Sequence, residues 1–100
     1  MSGSDTPPLP GGYPDPAVVG WIRSDDIEFA GFHIRLTITP GSRIVELWIT
    51  EDGHPVVWLG NAHRVDSEPP GLHVNHSYSK QFNRAQRDAL AREAAKFWKS

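Results

Sequence analysis

A chain of 100 residues with 38% hydrophobic content and a net charge of −2 suits one folded domain and leaves little room for a second. Cysteine is absent, which excludes a disulfide framework and any thiolate-bound zinc. No segment approaches the roughly 20 apolar residues of a membrane helix, and the opening MSGSDTPPLPGGYPDP lacks the basic start and apolar run of a signal peptide, so a soluble, cytoplasmic protein is expected.

The charge is unevenly spread. Residues 1–70 carry four Arg/Lys against ten acids, whereas residues 71–100 carry six against Asp88 and Glu93. A basic C-terminal segment suits a phosphate backbone, and it equally suits a solvated helix face with interleaved acids.

Residues 1–16 hold five of the nine prolines, with Gly and Ser between them. Such a segment buries too little apolar surface to offset its ordering entropy, so a disordered tail is expected, followed by a single α+β domain over 17–100. AVVGWIRS fits an edge strand or a short helix, and its pattern does not decide. FHIRLTIT alternates strictly, with Phe32, Ile34, Leu36 and Ile38 on one face, which is the period of a half-buried strand. PGSR is turn chemistry, and IVELWIT follows as a second strand. Asp52 and Gly53 then supply a two-residue hairpin turn before a third strand, PVVWL.

A loop over 40–43 pairs Ile34 with Ile49 and Leu36 with Leu47; the turn at 52–53 pairs Ile49 with Val56 and Leu47 with Trp58. Both registers collect one apolar layer on a common face. The other face would carry Arg35 beside Trp48, then Val57 and Leu59, with Glu46 among them. Either the N-terminal segment covers this face, or it is a docking surface for a protein partner; Arg35 over Trp48 would suit a cation–π pair.

LHVNHSY alternates and reads as a fourth strand. FNRAQRDALAREAAKFWKS then spaces Phe82, Ala85, Ala89, Leu90, Ala94, Phe97 and Trp98 along one side of a helix, with Asn83 and Gln86 as a capping box and Arg84, Asp88 and Arg92 at i,i+4 spacing. The expected architecture is thus an antiparallel meander of three to four strands with one amphipathic helix across its apolar face.

Five histidines carry what chemistry the chain offers. His33 faces the polar side of a strand, and His54 follows a turn. His63 lies where the third strand ends, a more usual place for function. On a strand His73 and His76, three apart, point to opposite faces, so they would chelate together only where the strand breaks. Zinc would need further ligands from His63, Asp66 or Glu68, so no metal or cofactor is expected. Acid–base work asks less: metal-free RNA cleavage requires a base for the 2′-hydroxyl, an acid for the leaving oxygen, and donors for the charge on phosphorus. His63, His73 and His76, with Arg64, Tyr78 and Lys80, supply those types.

The order of features in VVWLGNAHRVDSEPPGLHVNHSYSK resembles the TumE family of small toxins. In that family an Asp-Asn-Ala-Pro-His stretch ends a strand, a loop leads to a Pro-His-His-x-His segment, and a helix closes the chain. Asn61, Ala62 and His63 match the first motif, and His73 and His76 occupy the place of the second. Gly60 stands where the family has Asp, and the Pro before His63 is missing. The resemblance implies RNA cleavage with these histidines as candidates, and inhibition by a nucleotidyltransferase-type antitoxin partner.

The leading expectation is a metal-independent RNase of toxin type. His63 and His73 would be its acid–base pair, His76 an auxiliary, and Arg64, Lys80, Arg84 and Arg87 its RNA contacts. The alternative is a non-enzymatic module of phage or mobile-element type that blocks a protein partner through Arg35, Trp48, Val57 and Leu59. RNA binding without cleavage, through Arg84, Arg87, Arg92 and Lys96, is a third reading.

Overall fold

The computed structural model describes residues 9–15, 18, 20, 22–39, 41–63 and 71–99, the last two by backbone alone. Five strands, β1 (Arg23–Phe29), β2 (Phe32–Ile38), β3 (Ile44–Glu51), β4 (His54–His63) and β5 (Gly71–Val74), form one antiparallel sheet in chain order. A 3-10 helix (His76–Gln81) and the helix α1 (Arg84–Lys99) follow. The fold is α+β, with one strand more than the sequence pattern suggests. Among the described residues no helix is long and apolar enough to cross a membrane.

The added strand is β1, whose sequence RSDDIEF lacks apolar alternation apart from Ile27 and Phe29. Those two side chains pack against the core, while the acids lie exposed. Charge on an edge strand blocks further pairing, so the acidic sequence fits the position. The turn into β2 has both Ala30 (φ 53°) and Gly31 (φ 84°) in the left-handed region, where Ala carries a cost of order 1 kcal/mol that Gly does not.

Between β2 and β3 the register is the expected one, Ile34 opposite Ile49 and Leu36 opposite Leu47. The turn at Asp52 and Gly53 forms as expected, both residues having positive φ. The β3–β4 register departs from expectation at two bulges. Ile49 faces Val57 rather than Val56, and Trp58 faces Trp48 rather than Leu47, which instead faces Gly60. An extra residue therefore enters β4 twice, and each one reverses the inward and outward assignment beyond it. Val57 packs on the core and Leu59 is fully buried in it, so neither lies on the outer face.

The core lies between sheet and helix. Ile34, Leu36, Val45, Leu47, Leu59 and Ala62 meet Leu90, Ala94 and Phe97 of α1. At roughly 25 cal/mol per Å² of apolar surface removed from water, burial of this layer is the main term holding the elements together. The expected capping box is present: Asn83 Oδ1 accepts from Gln86 N at 2.8 Å, and Gln86 Oε1 accepts from Asn83 N at 2.9 Å. Phe82 packs between Phe29 and Phe32, and Tyr78 sets its ring edge-on to Phe32. At the other end of α1, the Arg23 guanidinium lies 4.6 Å from the Phe97 ring centre. The side chain of Trp98 lies outside the described residues.

The outer face of the sheet is partly covered. Tyr13, in the segment expected to be a disordered tail, sets its ring edge-on against Trp48 at 4.9 Å, and Trp48 is only 1% exposed. Arg35 donates to Asp26 at 2.8 Å, to the Tyr13 hydroxyl at 3.2 Å and to the Gly53 carbonyl at 2.8 Å. Bonds to Asp26 and then to Tyr13 hold its pKa above the ordinary value, against the opposing effect of burial. The ring over Trp48 is thus that of Tyr13, and the guanidinium is engaged elsewhere.

Candidate functional site

Trp58, Asn61 and His63 all point outward from β4, although 58 and 61 differ by an odd number. The bulge at Leu59 makes this so: Trp58 pairs with outward Trp48, Asn61 with outward Glu46, and His63 with outward Ile44. Without the extra residue, Asn61 and His63 would point into the core. Bulges that re-aim side chains in this way recur beside active sites.

β5 completes the face. Asn61 pairs with His73, and His63 pairs with Gly71. His63 and His73 are therefore diagonal neighbours on the same side of adjacent strands, about 7–8 Å apart at Cα, a distance that side chains can span. A Cβ on Gly71 would lie 3.7 Å from Cδ2 of His63, so the imidazole leans over β5 in the space that glycine leaves. Both histidines are exposed. On the far side of His73 stands Trp58, with ring centres 5.9 Å apart and planes 35° from parallel. The Trp58 indole N–H donates to Glu46 Oε1 at 3.3 Å. Asn61 lies between these groups, and its Oδ1 is buried with no hydrogen-bond partner among the described residues.

Two residues hold β5 against the bulge. Gly60 has no side chain, and a Cβ there would collide with the carbonyl oxygen of His73. The Asp that the TumE motif carries at this position therefore has no room on this backbone. Asn75 donates from its side chain to the Trp58 carbonyl and from its backbone to the Leu59 carbonyl, both at 2.6 Å, while its Oδ1 accepts from Ser77 N at 3.1 Å. One residue thus ties together the bulge, the end of β5 and the start of the 3-10 helix.

The other candidates are placed elsewhere. His76 opens the 3-10 helix instead of continuing β5, because the strand ends at Val74. Lys80 and Arg84 are exposed in the helical layer, across the sheet from His63 and His73. Arg87 donates to the carbonyls of Phe82 and Ser79 and pins the start of α1, so it serves structure before any ligand. Arg64, Asp66 and Glu68 lie outside the described residues. Among the described residues no three His, Asp or Glu side chains are grouped to hold a metal ion. Of the expected partner surface, Arg35 and Trp48 are covered by Tyr13, and Val57 and Leu59 turn to the core.

The sequence reading brings His63 and His73 forward and passes over Glu46 and Trp58. An isolated glycine inside an apolar strand, Gly60, is the available sign of the bulge at Leu59, whereas the outward turn of Trp58 depends on the earlier one at Val56. Comparison with family models, with curated proteins and with solved structures finds no match to this chain.

Proposed function

We propose that the chain is a small RNase that cleaves by histidine acid–base catalysis without metal, with His63 and His73 as the reacting pair. The observation that carries this reading is their diagonal placement on one solvent-facing surface of β4 and β5. One imidazole takes the proton of a 2′-hydroxyl, whose oxygen then attacks the adjacent phosphorus. The bond from phosphorus to the 5′-oxygen breaks as the other imidazole protonates that oxygen. The products are a 2′,3′-cyclic phosphate and a free 5′-hydroxyl.

A phosphate bound between the two rings needs donors for its developing charge. Arg64, next to His63 in the chain, is the assigned cation, since Lys80 and Arg84 stand in the helical layer. A toxin-type role under a nucleotidyltransferase-type partner belongs to the same proposal and rests on the motif resemblance alone. The alternative of an inhibitory module with an open apolar sheet face loses its surface where Tyr13 occupies Trp48.

The test is cleavage of a defined RNA followed by analysis of the fragment ends. Wild-type protein is expected to leave cyclic phosphates, and His63→Ala or His73→Ala to slow cleavage by about 10²- to 10⁴-fold each. Cleavage at the wild-type rate in both variants would remove the assignment.

A further inference from the structure

Trp58 is set on the outer face by the extra residue at Val56, as Asn61 and His63 are by the one at Leu59, and its indole is half-buried there, while Trp48 beside it is sealed beneath Tyr13. The ring is fixed before any ligand arrives, because Glu46 holds its N–H and His73 lies against it. A fixed, solvent-accessible indole next to an imidazole has the form of a stacking platform, which nucleic-acid-binding sheets use for unpaired bases. The neighbouring acceptor, Oδ1 of Asn61, has no partner among the described residues. From this arrangement we infer that Trp58 is the specificity-determining residue of the site: it stacks one unpaired nucleobase and so sets the adjoining phosphate at His73 and His63.

This inference rests on the reading of the histidine face as the place of RNA cleavage. A base inside a duplex is already stacked on both sides and cannot reach the indole, so the substrate is single-stranded at the cut. Glu46 strengthens the assignment of a base rather than a phosphate to this end of the face, because a carboxylate repels phosphate while leaving the flat ring available. The phosphate then belongs on the other side of His73, toward His63.

The experiment uses the full chain and a short single-stranded RNA with 2′-O-methyl groups throughout, which binds but cannot be cleaved. Its affinity is measured by fluorescence anisotropy beside that of the matching duplex, for wild type, Trp58→Phe and Trp58→Leu. Trp58→Phe keeps a ring, and Trp58→Leu keeps apolar volume without one; matched thermal unfolding of the two variants shows that the fold is retained in each. The expected result is a preference for the single strand that Trp58→Phe largely preserves and Trp58→Leu weakens roughly five- to hundredfold. Equal affinity for the duplex, equal loss in both variants, or no binding by wild type overturns the inference. Cleavage of unmodified RNA is scored separately: cleavage that is insensitive to Trp58→Leu sinks the platform and spares the nuclease. Ring-dependent binding without cleavage sinks the nuclease and leaves a base-binding face.

Discussion

Single residues shape the histidine face more by what they lack than by what they contribute. Gly60 and Gly71 lie opposite Val74 and His63 across the β4–β5 pair, yet their situations differ. A methyl group on Gly60 meets the His73 carbonyl head-on, whereas one on Gly71 makes an ordinary contact at 3.7 Å with the His63 ring. Gly60→Ala is therefore expected to lower stability by about 1–3 kcal/mol, as overpacking does, and to displace β5. Gly71→Ala is expected to stay within about 0.5 kcal/mol of wild type. Urea unfolding of the two variants measures the contrast, and equal midpoints would mean that β5 does not press on Gly60. The histidines themselves were legible from residue type and loop position. Trp58 was not, because its place depends on which face of β4 it occupies, whereas Glu46 of β3 was already legible on the outer face.

At the level of elements, alternation identified β2 and β3 and fixed their register, since both faces of that hairpin obey period two. It failed for β4, where two extra residues reverse the faces, and for β1, where charge suited to an edge position hides the strand. The end of β5 is set by Asn75, which bonds the carbonyls of Trp58 and Leu59 and caps the 3-10 helix; alternation in LHVNHSY carries no sign of that stop. The start of α1 was readable because a capping box is a local device whose partners lie three residues apart. Asn83→Ala removes one half of it and is expected to cost about 1 kcal/mol in chemical unfolding. An unchanged midpoint would mean that the bonds from Arg87 to Phe82 and Ser79 already hold the helix start without the cap.

Across the whole molecule, the sheet separates two surfaces of different character. The helical layer carries exposed basic residues, among them Lys80, Arg84, Arg92 and Lys96, and Lys96 already pairs with Glu93 at 2.7 Å. The other surface carries Tyr13 over Trp48, and Trp58 beside His73 and His63. The sequence shows that histidines and basic residues fall close together in the chain, but only the layering shows that His63 and His73 part from Lys80 and Arg84 to opposite sides. The chemistry proposed for the two histidines therefore calls for its own local donors rather than the basic helix. The most direct measurement is the fate of a defined single-stranded RNA incubated with the purified full chain in excess chelator. Fragments that accumulate with wild type and disappear with His63→Ala and with His73→Ala are the expected result. RNA left intact by wild type under those conditions, or fragments that persist in both variants, would contradict a metal-independent nuclease built on this pair.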